Sequence, residues 1–151
     1  MFSLFKKKQL FSEEENKKIV DAIRDAEMRT SGEIRVFVEK HCRFIDPLDR
    51  ALEIFNELEM ENTHDRNAVL VYVALKDRQL AIYGDSGINE KTGHPFWAAA
   101  VNTIIHQFNR ENYAEGISSA IAQIGEALHK YFPYNKDIDK NELPDEIIFG
   151  K

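Results

Sequence analysis

The sequence lacks the features that mark secreted, disulfide-bonded or membrane-spanning proteins. Its single cysteine, Cys42, cannot form an intramolecular disulfide, so nothing indicates an oxidising compartment. No apolar run approaches the roughly 18 residues that a transmembrane helix needs. The amino-terminal lysines follow the first apolar residues and no apolar stretch comes after them, which is not the order of a signal peptide. We therefore expect a cytoplasmic protein with no stable membrane insertion.

The sequence also lacks an excess of basic residues. It has 20 Lys and Arg against 26 Asp and Glu, which gives a formal net charge of −6 and a pI near 5.4. Nucleic acids and anionic membranes bind basic surfaces, so this balance argues against either as the main partner. It is compatible with a divalent cation or with a protein partner that the sequence does not identify.

Several motifs of known chemistry are missing as well. The sequence contains no glycine-rich phosphate loop, no dinucleotide fingerprint and no zinc-binding pattern. Its five histidines do not show a metal-binding spacing such as His-x-x-x-His. These absences argue against nucleotide binding and against a zinc enzyme.

What is present is a regular alternation of helical and strand patterns. Ser12 and Glu15 have the spacing of a capping box and open an amphipathic helix over about residues 13–29. Apolar and polar residues alternate over 33–39, which predicts a strand with one well-buried face. Asp46 can cap a second helix, and we expect its inner side to carry Leu48, Leu52, Phe55 and Leu58.

The second half of the chain begins with a strand pattern. Residues 68–75 are apolar without interruption, which is typical of a strand buried on both faces. Residues 76–78 are too few for a parallel crossover, so 79–83 should return as an antiparallel hairpin. A glycine-bounded loop over 84–93 then leads to two more amphipathic helices.

This order of elements predicts an α/β fold. We expect a three-layer α/β/α sandwich with a small mixed sheet flanked by about four helices. Residues 11–133 form the domain, after an amino-terminal arm over 1–10. A tail over 134–151 docks on the domain through apolar residues near its end.

The stretch Gly84-Asp-Ser-Gly87 is the tetrapeptide that surrounds the nucleophile of trypsin-like serine proteases. Those enzymes place the base and the oxyanion hole between two β-barrels, which a helix-rich chain of this length cannot build. The spacing also differs from the Gly-x-Ser-x-Gly elbow of α/β-hydrolases. We interpret Ser86 as part of a glycine-rich exit from the hairpin rather than as a nucleophile.

The predicted topology brings three segments to one edge of the sheet. The two parallel strands start where the third strand ends, so residues 31–33, 64–67 and 84–90 should converge. Oxygen ligands of the kind that Ca²⁺ and Mg²⁺ prefer are found there. They are Glu33, Asp65, Asn67, Asp85, Asn89 and Glu90. Two alternatives remain open: Arg66 neutralises the carboxylates, or these residues are solvated turn formers.

The opposite edge competes for the site, because ligands of α/β sheets usually bind at the carboxyl ends of parallel strands. Residues 40–46 and 76–78 lie there. His41 and Cys42 are adjacent in the sequence, so their side chains are poorly placed to act on one another. We interpret them as a solvated histidine beside an incidental thiol.

Several motifs, taken in order, resemble the TPM domain, named for a thylakoid-lumen phosphatase-like protein, a photosystem II repair factor and a nematode receptor modulator. The resemblance covers roughly residues 10–133. It rests on Glu27-x-x-Thr-Ser-Gly-Glu-Ile-Arg-Val36, Asn67-Ala-Val-Leu-Val-Tyr-Val73, Asp77-Arg78 with Gly84-Asp-x-Gly-Ile88, and Tyr113-x-Glu-Gly-Ile117 followed by Ile124-Gly125.

The resemblance implies an α/β sandwich that binds divalent cations, Ca²⁺ especially. It implies cation ligands at Asp65, Asn67 and Asp85. Some members of the family are credited with weak acid-phosphatase activity. Many members carry a signal peptide and a membrane anchor, and we expect this chain to depart from that pattern. It also has Ala68 where a glycine often follows the asparagine.

Two functions follow from these observations. The first is a divalent-cation-binding domain that acts as a binding or assembly module without catalysis. The second is a metal-dependent acid phosphatase that hydrolyses phosphomonoesters. A phosphatase needs a nucleophile or a metal-bound hydroxide, and cationic groups for the phosphoryl group. The predicted cluster has Arg66 and Lys91 nearby but no strong nucleophile, which favours the binding module.

Overall fold

The computed structural model describes residues 10–44, 46–108, 112–134 and 146–150. Nearly all of the predicted amino-terminal arm and much of the predicted tail lie outside these ranges. The helices within them are α1 (Glu13–Glu27), α2 (Pro47–Glu57), α3 (Ser86–Thr92), α4 (His94–Phe108) and α5 (Tyr113–Tyr131). The strands are β1 (Glu33–Glu39), β2 (Ala68–Ala74), β3 (Gln79–Gly84) and β4 (Ile148–Phe149).

The strands form one open mixed sheet in the order β3-β2-β1-β4. β1 and β2 are parallel, with Glu33 opposite Ala68, and β2 and β3 form the antiparallel hairpin. The short β4 pairs in parallel with β1 through Ile148 opposite Phe37. The predicted α/β fold with a mixed sheet is therefore confirmed, and a short strand from the end of the chain extends it.

Helices cover both faces of the sheet, and each face has its own core. Val69, Val71 and Val73 of β2 pack in the core that α1, α4 and α5 share. The alternate residues Leu70 and Tyr72 pack in the second core, against α2. Both faces of β2 are thus buried, as the uninterrupted apolar run predicts.

Strand β1 is more buried than its alternating sequence indicates. All seven residues are buried, including Glu33, Arg35 and Glu39. The alternation predicts one buried face, but β2 and β4 flank the strand and helices cover both of its faces. Its polar side chains therefore need partners inside the fold.

The predicted start of α2 is confirmed, but its predicted buried face is confirmed only in part: Phe55 is buried and Leu58 packs against the same core, whereas Leu48 and Leu52 are exposed. Asp46 accepts a hydrogen bond from the Leu48 amide at 2.9 Å, as a helix cap does. Leu48 and Leu52 are nevertheless 44% and 39% exposed, and the buried side chains are Ala51, Ile54 and Phe55. The small Ala51 is fully buried in the core against the sheet while two leucines are exposed, so side-chain size does not mark the buried face.

The predicted loop over 84–93 contains a short helix, so this part of the prediction is wrong. Asp85 caps α3 by accepting a hydrogen bond from the Ser86 amide at 2.7 Å. Ile88 is fully buried and anchors the helix on the core. Gly87, one of the glycines that suggested a loop, instead allows α3 to pack closely against residues 65–66.

Candidate functional site

The three segments predicted to converge do meet at one edge of the sheet. The Glu33 amide donates to the Asn67 carbonyl at 3.4 Å, and the Asn67 side-chain amide donates to the Ser31 hydroxyl at 3.2 Å. The Asp85 amide donates to the Ala68 carbonyl at 2.9 Å. We call residues 31–33, 64–67 and 84–90 the amino-terminal edge, because β1 and β2 begin there.

Gly87 holds the third segment against the second. Its amide donates to the Arg66 carbonyl at 2.8 Å. A Cβ atom on Gly87 would lie 2.1 Å from the Asp65 carbonyl oxygen and 2.6 Å from that of Arg66. Only glycine therefore allows α3 to approach this closely, and the edge depends on that contact.

Asp85 is the best-shielded carboxylate of the edge, at 1% exposure. Arg66 binds it through two hydrogen bonds, from Nε to Oδ2 at 2.6 Å and from Nη2 to Oδ1 at 2.8 Å. The hydrogen bonds and the charge of Asp85 raise the pKa of Arg66. Arg66 is thus the counter-charge that the sequence left open as an alternative.

Arg66 itself is an unusual partner for a buried carboxylate. Its side chain is 51% exposed while that of Asp85 is 2% exposed, so the guanidinium covers the carboxylate from the solvent side. Its backbone has φ of 52°, a left-handed conformation that costs energy for residues other than glycine. The guanidinium is therefore in contact with water, whereas the carboxylate is not.

Asn67 contributes a second oxygen of the amino-terminal edge. The residue is 1% exposed, and its Oδ1 atom accepts no hydrogen bond from the described part of the chain. An amide oxygen buried in this way costs free energy unless a donor or a cation meets it.

The remaining predicted ligands differ in their burial and in their contacts with other residues. Glu33 is buried at the start of β1, at 2% exposure. Asp65 lies 3.0 Å from His64 Nδ1, and its carboxylate is partly exposed. Asn89 Oδ1 accepts a hydrogen bond from Trp97 Nε1 at 2.9 Å, and Glu90 is exposed on α3.

This conformation does not present a set of carboxylates ready for a metal ion. Over the described ranges, no group of three or more His, Cys, Asp and Glu side chains is placed to hold one. The edge offers one shielded carboxylate bound to Arg66 and a buried amide oxygen on Asn67. A cation at this edge requires Arg66 to move away.

Ser86 is the first residue of α3. The carboxylate of the preceding Asp85 is bound by Arg66 and by the Ser86 amide, so it is not oriented as a base toward the hydroxyl. The structure thus gives the Gly84-Asp-Ser-Gly87 stretch the role of a helix start.

The opposite edge contains a polar cluster that the sequence analysis missed. Arg50 donates to both oxygens of Glu39 at 3.0 Å, and the Tyr72 hydroxyl donates to the same carboxylate. We call Glu39, Arg50 and Tyr72 the carboxyl-terminal cluster. Its members come from β1, α2 and β2, and a lone glutamate at a strand end gives no sign of such distant partners.

Burial and hydrogen bonding act in opposite directions on the pKa of Glu39. Burial alone would raise this pKa, but hydrogen bonds from Arg50 and Tyr72 outweigh burial and lower it. The hydrogen bonds that Arg50 donates to Glu39 raise the pKa of Arg50, and burial followed by the hydrogen bond that Tyr72 donates to Glu39 raises the pKa of Tyr72. The cluster therefore stays an ion pair with a neutral tyrosine.

The loop after β1 is tied to the hairpin turn next to this cluster. His41 Nδ1 lies 2.9 Å from Asp77 Oδ1, and the Cys42 amide donates to Asp77 Oδ2 at 2.7 Å. Both contacts lower the pKa of Asp77, and the hydrogen bond with His41 has the larger effect. The Cys42 thiol lies 3.5 Å from the Phe44 carbonyl, so the histidine and the thiol have separate partners.

Comparison with known proteins assigns this open α/β sandwich to a family. The chain belongs to the TPM domain family, because the sequence pattern of the TPM domain matches residues 4–127. The resemblance seen in the sequence motifs is thereby confirmed. No curated protein sequence matches the chain significantly.

Two solved structures are similar to this chain. The BA42 protein of the psychrophilic bacterium Bizionia argentinensis, solved by NMR, is 48% identical; the match covers 97% of this chain and 99% of that one, with a TM-score of 0.87. The N-terminal domain of cg2496 from Corynebacterium glutamicum is 18% identical; that match covers 79% of this chain and 74% of that one, with a TM-score of 0.63. The second likeness shows the fold alone.

None of the helices in the described ranges is both long enough and apolar enough to cross a membrane.

Proposed function

We propose that this TPM domain is a non-catalytic binding or assembly module that takes up Ca²⁺ or Mg²⁺ at its amino-terminal edge. The cation replaces the Arg66 guanidinium as the counter-charge of Asp85. One observation carries the proposal: a carboxylate with 2% side-chain exposure is covered by an arginine side chain that is 51% exposed.

The oxygen atoms at the edge fit a hard cation once Arg66 has moved. Asp85 would supply the charge, and the buried Asn67 Oδ1 would gain the partner that it lacks among the described residues. Asp65 and Glu33 lie in the same converging segments. Asn89 and Glu90 on α3 would complete the set, and Asn89 would first have to release Trp97.

Competition between the arginine and the ion explains how one site can exist in two states. Without the ion, Arg66 prevents an uncompensated buried charge at Asp85. With the ion, the released guanidinium is solvated at the surface. A protein partner that contacts the edge would meet a different charge pattern in each state, which is how a binding module could respond to the cation.

The same geometry favours binding over phosphate ester hydrolysis. A phosphatase needs an activated nucleophile or a metal-bound hydroxide next to cationic groups. The Asp85 carboxylate is bound to Arg66 and to the Ser86 amide, so it does not activate the adjacent serine. The alternative function is a metal-dependent acid phosphatase, and an activity assay must distinguish it from the binding module.

The proposal is tested by titrating CaCl₂, and separately MgCl₂, into ¹⁵N-labelled protein at constant ionic strength. We expect amide shifts confined to residues 31–33, 64–67 and 84–91. The Asp85→Asn variant keeps a helix-capping side chain but loses the charge, so its shifts should disappear. Shifts centred on 40–46, or none at millimolar ion, would exclude the proposed site.

A parallel assay separates the two functions. Release of p-nitrophenol from p-nitrophenyl phosphate is measured with and without the ion, for the wild type and for Asp85→Asn. We expect no release above background in either protein. Ion-dependent release that Asp85→Asn abolishes, while the fold is retained, would establish the phosphatase instead.

A further inference from the structure

An open groove runs along β3, the outermost strand of the sheet on the side of the hairpin. Its volume is about 590 Å³. One side of the groove is the strand itself, over residues 80–84, and Asp85 continues that side beyond the strand. The first turn of α2 contributes Pro47 and Leu48, and α4 contributes Trp97, Ala98 and Val101. The groove therefore combines backbone along its length with apolar side chains on two walls.

The hydrogen-bond pattern of β3 shows which backbone groups face this groove. The Asp85 amide donates to the Ala68 carbonyl, and the register places Tyr83 opposite Leu70. In an antiparallel pair, alternate residues exchange both hydrogen bonds with the partner strand. Leu80, Ile82 and Gly84 therefore direct their N–H and C=O groups away from β2.

No strand among the described residues pairs with this outer side, since β3 ends the sheet order. A row of unpaired N–H and C=O groups is a template for another extended chain. This pattern distinguishes the groove from an apolar patch, because an added strand is the partner that satisfies it.

The edge is recessed between the helices. Leu80, Ala81 and Ile82 are only 7%, 6% and 5% exposed although they belong to an edge strand. Strands must approach to about 4.8 Å to pair. A second copy would bring the same recessed edge, so flanking helices would meet before the strands. A single extended peptide is narrow enough to enter.

We propose that this groove binds an extended peptide segment of a partner protein as an additional strand on β3. β3 has six residues, and at about 3.3 Å per residue it spans a peptide of similar length. Side chains of the peptide alternate between the two walls. Apolar residues at both sets of positions pack against Leu48 on one wall and against Trp97 and Val101 on the other.

Leu48 and Leu52 provide a matched pair for the test. Both are exposed apolar residues of α2, at 44% and 39%, and they lie four positions apart. Leu48 lines the groove, whereas Leu52 is not among its lining residues. Leu48→Glu places a charge on the groove wall, and Leu52→Glu adds the same charge outside it.

The probe is a phage-displayed library of random dodecapeptides, followed by chemical synthesis of the most enriched sequence. We expect enrichment of alternating apolar residues. Titration of the synthetic peptide should slow amide exchange at Leu80, Ile82 and Gly84. Affinity should fall about tenfold or more in Leu48→Glu and change less than about twofold in Leu52→Glu.

A backbone-modified peptide sharpens this result. Two peptides are compared, one N-methylated at its odd-numbered residues and one at its even-numbered residues. Only one of the two sets of amides faces β3, so one peptide should lose binding and the other should keep it.

Four outcomes of the peptide experiments overturn the proposal. They are failure of the library to enrich any peptide, slowed amide exchange away from β3, equal losses in both leucine variants, and insensitivity to N-methylation. Sedimentation analysis tests whether a second copy of the chain occupies the groove. A wild-type dimer that Leu48→Glu dissociates would show that a second copy uses the groove instead.

Discussion

The two edges of the sheet each hold an arginine–carboxylate pair, but the two pairs differ in burial. At the carboxyl-terminal cluster, the Glu39 and Arg50 side chains are 8% and 20% exposed. At the amino-terminal edge, the Asp85 side chain is 2% exposed and that of Arg66 is 51% exposed. Both arginines use two nitrogens to bind their carboxylate. The pairs thus share their chemistry and differ in how easily the arginine reaches water.

The two arginines also differ in their contacts beyond the carboxylate. Arg50 also donates to Glu53, and its guanidinium lies 5.7 Å from the centre of the Phe37 ring. Arg66 lies at the surface on a left-handed backbone. A buried pair is costly to break because it leaves a charge without compensation, whereas a surface arginine is solvated when released. The carboxyl-terminal cluster is therefore structural. Under the proposed function, Arg66 is exchanged only for another positive charge, because Asp85 stays buried when the arginine leaves.

The largest effect is expected from Arg50→Met. This change leaves Glu39 buried without its counter-charge, so the free energy of unfolding should fall by about 3–5 kcal/mol at neutral pH. Urea unfolding followed by circular dichroism measures it. Arg43→Met removes a charge from the exposed loop nearby and should change stability by less than about 0.5 kcal/mol. Equal effects of the two variants would show that the Glu39 pair is not structural.

Gly87→Ala should have the next largest effect. The added methyl group would meet the Asp65 and Arg66 carbonyl oxygens at 2.1 and 2.6 Å, so α3 must shift away from the amino-terminal edge. We expect a loss of about 1–3 kcal/mol in unfolding free energy, by the same urea assay, despite the better helix propensity of alanine. Weaker calcium binding should accompany it. Unchanged stability and affinity would contradict the proposed tight contact.

A smaller and pH-dependent effect is expected from Glu39. Its pKa is lower in the folded than in the unfolded chain, so the folded state binds fewer protons. The stability that it contributes is present above its unfolded pKa, about 4.3, and is lost as the pH falls through the folded value. Urea unfolding between pH 6 and pH 3 should show a steeper decline for the wild type than for Glu39→Gln. Parallel declines would contradict the assignment.

The framework of the fold could be predicted from the sequence because local patterns determine it. The apolar run 68–75 and the short turn after it predict the central strand and the hairpin. The capping residues Ser12 and Asp46 mark the starts of their helices. These signals involve residues close in the chain, so no knowledge of tertiary contacts is needed.

Features that depend on long-range contacts could not be predicted in the same way. The closing strand β4 has only two residues, and pairing with β1 is what defines it. The buried face of α2 includes the small Ala51, which is fully buried in the core against the sheet. The glycines over 84–93 predict a loop because glycine is a loop former, although Gly87 serves close packing of α3.

The candidate site shows the same limit. Convergence of the three segments follows from strand directions, and the structure confirms it. Whether Asp85 binds Arg66 or remains available for a cation depends on one side-chain conformation, which the sequence left open. The Glu39–Arg50–Tyr72 cluster was missed because its members come from three separate elements.

Calcium affinity in the Arg66→Met variant is the most direct test of the central claim. Removing the competing guanidinium should make calcium bind at least about threefold more tightly than in the wild type, measured by isothermal titration calorimetry. Arg43→Met removes the same charge at the opposite edge and should leave the affinity nearly unchanged. Unchanged or weaker calcium binding in Arg66→Met, in a folded protein, would contradict the account.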